Sequence, residues 1–265
     1  TLKQMPLFRT YVDIIKMVVT GYYIKGNFEW GPYSSTYSYN QTEGSRFRIG
    51  GRTSNDFSKR LMLSGYAAYG TRDQKFKYSG GFMYMIGKQP DRVLTASYKY
   101  DVEQLGMSDN AFRQDFILNS LFRRNPQDKL SMVSQYKASY KHEWFTGFSN
   151  SVTITNRQIS TLKGEGINLY DPVTLDYMPT EHITTTELAF GLHYGFREKQ
   201  LAGEFERVVV STPFPVFNLQ YARGIKDVFN GEYKYTNLTG SVSQWFSFLS
   251  AGWLKYNVEA GKVWG

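Results

Sequence analysis

Residues 39–78 read YNQTEGSRFRIGGRTSNDFSKRLMLSGYAAYGTRDQKFKY, and the fold is decided there. Apolar and polar residues alternate in two runs, 46–52 and 59–71, and a third begins at Lys75. A glycine-marked segment, Asn40-Gln41-Thr42-Glu43-Gly44, precedes them, and short polar turns separate them. In a strand, successive side chains point to opposite faces. Phe47 and Ile49 therefore share one face, while Arg46, Arg48 and Arg52 share the other. Apolar outside and charged inside is the pattern of a strand in a transmembrane barrel.

The pattern recurs along the chain. Candidate strands are 18–25, 28–39, 45–53, 59–71, 75–86, 92–101, 129–145, 148–160, 184–198, 201–211, 216–223, 232–245 and 251–263. Several reach the ~9–11 residues of a tilted spanning strand, beyond the ~5–6 usual in globular sheets. In 92–101, Leu94, Ala96, Tyr98 and Tyr100 oppose Thr95, Ser97, Lys99 and Asp101. In 129–145, Tyr136, Ala138, Tyr140 and Trp144 oppose Gln135, Lys137, Ser139, Lys141 and Glu143. In 184–198, Leu188, Phe190, Leu192, Tyr194 and Phe196 oppose Glu187, Ala189, Gly191, His193 and Arg197.

The expected fold is all-β: an antiparallel transmembrane β-barrel of about a dozen strands over residues 18–265, forming part of a larger barrel. Residues 1–17 lead in. Leu7, Tyr11, Ile14, Ile15 and Val18 recur at helical spacing behind Pro6, which fits a short amphipathic helix at the membrane surface. Residues 14–24 fit a first strand equally well. Short connections at 53–58, 88–91, 146–147 and 198–200 fall at every second position. The long ones, 102–128 and 161–183, fall at the other end, although the connections at 71–74 and 212–215, also at that end, are short. Short periplasmic turns and long outer loops are the outer-membrane arrangement. Within the first long loop, Asp109 fits the cap of a helix over 110–123, with Phe112, Phe116, Ile117 and Leu121 as its apolar stripe. Asp171-Pro172 and Met178-Pro179 make the second turn-rich.

Composition agrees with this fold. The 265 residues include 21 Tyr and 19 Phe but no Cys, so there is no disulfide framework and no thiolate metal site. Aromatic girdles account for so many rings beside a slightly negative mean hydropathy. No apolar run is long enough for a membrane-spanning helix. The opening residues lack the layout of a secretion signal, so an exported protein would appear here as mature or trimmed chain. The net charge of +8 is spread along the strands, without the clustered footprint that nucleic acid requires. Membrane lipid and acidic lipopolysaccharide are the expected partners, with other outer-membrane proteins or lipoproteins beside them.

Two polar sets stand out as lumen charge. Glu43, Arg46, Arg48 and Arg52 read either as a buried network fixing a loop or plug, or as ordinary solvated lumen charge. The second is the more economical on sequence alone. Glu187, His193 and Arg197 share the polar face of a later strand. His142 falls on the apolar face beside Trp144, and His182 in a loop. A hydrolase would need a nucleophile within reach of His193, and the sequence places none there. No catalytic residue, metal ligand set or cofactor is expected: His and carboxylate spacings fit no metal site, and the glycines form no phosphate loop.

The segments Gly31-Pro32-Tyr33, Tyr39-Asn40-x-x-Glu43-Gly44-x-Arg46, Gly50-Gly51-Arg52-Thr53, Gly65-Tyr66-x-x-Tyr69-Gly70-Thr71-x-Asp73 and Lys77-Tyr78 carry a family likeness. The chain resembles a Bacteroidota-type family of outer-membrane β-barrels of undetermined function, whose barrel follows a small carboxypeptidase-regulatory-like β-sandwich. It is similar, more distantly, to barrels of the BamA/TamA-like insertase superfamily. The resemblance implies a longer protein, with the sandwich upstream and further strands downstream, in a bacterial outer membrane. It supplies no catalytic residues, and the arginine-glycine loop motif of the insertases has no assigned place here. The role it implies is non-enzymatic: outer-membrane protein assembly or translocation, or envelope transport. A channel or receptor with a charged lumen is the alternative, and a barrel-embedded hydrolase the third reading.

Overall fold

A computed structural model describes residues 21–88, 90–104, 130–162, 167–171, 176–202, 205, 207–247 and 252–265. The lead-in 1–17 and the helix expected over 110–123 lie outside the described residues. The elements in chain order are β1 (Tyr23–Lys25), β2 (Phe28–Trp30), a 3-10 turn (Tyr33–Ser35), β3 (Tyr37–Asn40), β4 (Gly44–Thr53), β5 (Leu61–Gly70) and β6 (Phe76–Lys88). They continue with β7 (Asp91–Gln104), β8 (Leu130–Phe145), β9 (Phe148–Thr161), β10 (Ile167–Asp171), β11 (Asp176–Thr180) and β12 (His182–Gly195). The last are β13 (Lys199–Ala202), β14 (Arg207–Ser211), β15 (Val216–Gly224), β16 (Tyr235–Ser247) and β17 (Trp253–Trp264).

The chain is all-β. A 13-stranded antiparallel sheet runs in the order β1-β2-β4-β5-β6-β7-β8-β9-β12-β15-β16-β17, with β3 also paired to β4. Neighbours in the sheet are almost all neighbours in sequence, as in a meander of hairpins. β10–β11 and β13–β14 form two small hairpin sheets of their own.

Three expectations need correction. The strand expected over 28–39 is two strands, β2 and β3, paired to opposite ends of β4. Pro32 has no N–H to give a ladder, and Ser35 folds back on it, its Oγ donating to the Pro32 carbonyl at 2.8 Å. The strand expected over 201–211 does not enter the large sheet. β12 pairs directly with β15, from Glu187↔Gly224 to Gly195↔Val216. Thr212 Oγ1 bonds the Phe196 carbonyl at 2.9 Å, closing the excursion at its base. A long connection, 196–215, thus lies at the end where only short ones were expected. The turn-rich reading of 161–183 also gives way, since β10 and β11 pair there and β12 already begins at His182.

The chain divides into two compact units, one of residues 1–81, 98–134 and 159–181, the other of residues 82–97, 135–158 and 182–265. Each has the same inverted polarity. In the first, Phe47 and Ile49 are 55% and 69% exposed, while Glu43, Arg46, Lys77 and Asp101 are buried. In the second, Leu188, Phe190 and Tyr194 of β12 are exposed, while Thr184, Thr186 and Glu143 are buried. Among the described residues, buried polar side chains outnumber buried apolar ones. A water-soluble sandwich buries its apolar face instead.

Candidate functional site

The first unit builds its polar centre from the entry to β4. Asn40 Oδ1 accepts the backbone N–H groups of Thr42 (3.1 Å) and Glu43 (2.7 Å), an Asx turn. The chain then enters β4 through Gly44 at φ +73°, where a Cβ would come within 2.7 Å of Thr71 Oγ1. That geometry turns Glu43 inward, and Asn40 Nδ2 donates to its Oε2 at 2.7 Å.

Arg46, two residues into β4, sits between two carboxylates. Its Nη1 lies 3.1 Å from Glu43 Oε1 and 2.8 Å from Asp101 Oδ1, and its Nη2 lies 2.8 Å from Asp101 Oδ2. This is a two-bond fork, the strongest form of ion pair. Tyr66 of β5 donates its hydroxyl to Asp101 Oδ2. Lys77 of β6, wholly buried, holds Glu43 Oε1 at 2.8 Å and Asp73 Oδ2 at 2.5 Å. Arg48 joins through the ring of Tyr66, with its guanidinium carbon 3.7 Å from the centroid. Glu43, Asp73 and Asp101 thus face Arg46, Lys77 and Arg48. Gly70 leaves room for all of this, since a Cβ there would collide with Asp73 Oδ1 and come within 2.8 Å of Lys77 Nζ.

The fork also reaches across the sheet. Neighbouring strands lie ~4.8 Å apart, and β5 and β6 stand between β4 and β7. Arg46 and Asp101 meet at 2.8 Å over the polar face of these strands. Lys75 repeats the reach at the strand ends, its Nζ donating to the Leu162 carbonyl just past β9 at 3.3 Å.

The structure therefore joins Glu43, Arg46 and Arg48 in one network and sets Arg52 apart. Arg52 Nε pairs with Glu29 Oε2 at 2.6 Å, and its guanidinium lies over the Tyr22 ring at 4.3 Å. Glu29 and Arg52 are direct cross-strand partners.

In the second unit the three expected residues do not converge. Glu187 accepts the Tyr235 hydroxyl at 2.9 Å. Further along β12, His193 Nδ1 lies 2.7 Å from Asn218 Oδ1 and its Nε2 lies 3.1 Å from Glu198 Oε2. Asn218 Nδ2 in turn donates to Ser241 Oγ at 3.3 Å. Arg197 does not share that face: β12 ends at Gly195, and Arg197 sits exposed in the following turn at φ +49°. Glu198 takes the place beside His193. His142 packs against Trp144 with the rings tilted, their centroids 4.4 Å apart. Among the described residues, no group of three His, Asp or Glu is arranged to hold a metal ion.

The partners missed in the sequence are Asp101, Tyr66, Lys77 and Asp73. A signal for the last three was present. Asn40, Glu43, Gly44, Arg46, Tyr66, Gly70, Thr71, Asp73 and Lys77 carry the family likeness, and they are the residues from which this network and its packing are made.

The family model described as "Family of unknown function (DUF5686) C-terminal domain" matches residues 17–264. The chain belongs to that family. No curated protein matches it. Among solved structures it is similar to "The crystal structure of BamA from Haemophilus ducreyi lacking POTRA domains 1-3", at 11% identity and a TM-score of 0.47. The match covers 97% of this chain and 49% of that one, so the chain spans about half the length of the matched structure. The family description assigns no activity, and the chemistry of the site rests on its own geometry. Every charge in the network is met by an opposite charge or a ring, an arrangement suited to bracing strands.

Proposed function

We propose that this chain is the wall of a bacterial outer-membrane β-barrel, of the Bacteroidota type, and that the protein serves outer-membrane protein assembly or envelope transport without enzymatic activity. The observation that carries the membrane reading is the inverted polarity. Large apolar side chains stand exposed along β4, β5, β6 and β12, while the opposite face holds a compensated cluster of buried charges. In water such a molecule would expose its aromatic face at great cost; in hydrocarbon the same face is solvated, and the charges line the interior.

One feature favours assembly over conduction. The Glu43–Arg46–Asp101–Lys77–Asp73 charges are spent on one another, whereas a selectivity ring presents its charge to the permeant ion. Catalysis at His193 is disfavoured because both ring nitrogens are engaged, and Ser241 contacts Asn218 rather than the imidazole.

Depletion of the full-length protein tests the role. The abundance of other outer-membrane barrels is expected to fall. Unchanged abundance, together with a large single-channel conductance in planar bilayers, would move the reading to a channel with a charged lumen.

A further inference from the structure

A row of glycines crosses the outward face of the first unit. Gly51 of β4 pairs with Gly65 of β5, and Trp30 of β2 pairs with Gly51 on its other side. The Cα of Gly80 in β6 lies 3.7 Å from the position a Gly65 Cβ would take, so the row extends to a third strand. Parity places all of these on the face that carries Phe47, Ile49 and Leu63. Without side chains at the centre, the surface sinks into an open trough of about 420 Å³. Ile49 forms one long wall, Phe28 and Leu63 form the other, and Trp30 closes one end.

Gly51 and Gly65 are not interchangeable with alanine. A Cβ at Gly51 would lie 2.5 Å from the Glu29 carbonyl oxygen, and one at Gly65 would lie 3.0 Å from that of Ser79. Close approach of the neighbouring backbones therefore keeps the floor bare. The trough is also dry in chemistry. Its outward hydroxyl, Thr53 Oγ1, is buried and accepts the Leu63 N–H at 2.9 Å, and Arg52 and Glu29 are turned to the inner face and paired there.

We propose that this trough binds one acyl chain of a membrane lipid. The proposal rests on the reading that this face meets lipid, and adds that the lipid is held in a defined place. The apolar walls are continuous with the exposed belt of Phe47, Phe76 and Tyr78 in the same unit, so a chain lying against the belt enters the trough without crossing a polar rim. With that hydroxyl buried, the trough offers a polar ligand or a protein side chain little to hydrogen-bond. Hydrocarbon is what fits, and the volume lies within the ~300–1,000 Å³ range of specific small-ligand sites.

Trp30 makes the site observable. The other tryptophans (Trp144, Trp245, Trp253 and Trp264) are replaced by Phe in the full chain, and phosphatidylcholine brominated on its acyl chains is titrated into the detergent-solubilised protein. The expected result is saturable quenching of Trp30, reversed by unbrominated phosphatidylcholine. It should weaken at least roughly fivefold when Ile49→Ala and Leu63→Ala remove both walls. Those side chains are exposed, so their loss spares the fold. A protein retaining Trp144 alone, exposed on the same kind of surface, is expected to show weak, non-saturating quenching. Linear quenching of Trp30 equal to that of Trp144 overturns the site and leaves the lipid-facing reading intact. If neither is quenched when the protein is offered brominated vesicles, the lipid-facing reading itself fails. Shielding of Trp30 from both lipid and aqueous acrylamide in a dimeric particle would assign the trough to a second copy and also overturn the proposal.

Discussion

Arg46 is gripped from two sides, by Glu43 in the turn before β4 and by Asp101 of β7, so its removal is not a simple loss of contacts. Arg46→Met would leave Asp101 buried beside Tyr66 and would weaken the environment of Glu43, which among the described residues keeps Lys77 and Asn40. Breaking one member of such a buried pair costs ~3–5 kcal/mol. That loss is expected in urea unfolding of the lipid-reconstituted protein, followed by tryptophan fluorescence. The double variant Arg46→Met, Asp101→Leu should recover most of it, because the orphaned charge goes too. If the single variant is neutral, the network is solvated rather than buried. A second contrast uses two glycines. Gly70→Ala drives a methyl into Asp73 and Lys77 and is expected to cost ~1–3 kcal/mol, whereas Gly80→Ala meets nothing within 4 Å and should stay within ~0.5 kcal/mol in the same assay. The Glu43–Arg46 half of this site was legible because it is local in sequence. Asp101 was not: parity placed it on the right face, but its meeting with Arg46 depends on which strands the sheet sets between them.

Long strands were legible for the reason that short excursions were not. Period-two alternation fixes which way each side chain of β4, β7, β8 or β12 points, and burial agrees at Phe47, Trp144, Leu188 and Phe190. Alternation says nothing about which neighbour a strand chooses. Residues 201–211 alternate acceptably and still pair among themselves, and 28–39 breaks where Pro32 withholds a donor. The β15–β16 connection, 225–234, shows how such segments are fixed. Asp227, Phe229 and Asn230 take positive φ, conformations unfavourable for ordinary residues. The connection is tied down by Thr186, whose Oγ1 donates to the Val228 carbonyl at 2.6 Å and accepts from Asn156 Nδ2 at 2.9 Å. Asn156 Nδ2 also reaches the Phe229 carbonyl at 2.9 Å. Thr186→Val keeps the shape and removes the hydroxyl, stranding buried polar groups at ~1–3 kcal/mol. The expected outcome is faster limited proteolysis within 225–234 with the large sheet intact. An unchanged cleavage rate would mean that the turn holds itself.

The medium around the molecule decides what its exposed face costs, and one substitution separates the possibilities. Ile49 is 69% exposed, with its side chain opposite the Arg46–Arg48 face. For a protein in water, an arginine at so open a position is a surface change worth no more than ~0.5 kcal/mol. For a barrel in a bilayer, the same arginine is placed in hydrocarbon and costs ~2–4 kcal/mol near the midplane, less toward the interfaces. Ile49→Arg is therefore expected to destabilise the protein folded into lipid vesicles by ~2–4 kcal/mol, read from reversible urea unfolding. Trp144→Arg provides the depth control. Trp144 lies one residue from the end of β8, beside the Thr146–Gly147 turn, and its substitution should cost less because an arginine there reaches headgroups and water. A neutral Ile49→Arg would mean that this face is not covered by hydrocarbon, and the outer-membrane reading would fall with it. A large cost at Ile49 and a small one at Trp144 would give the belt a direction across the membrane. It would also fix the depth of the buried charge cluster, since Arg46 and Arg48 lie on the same stretch of β4 as Ile49.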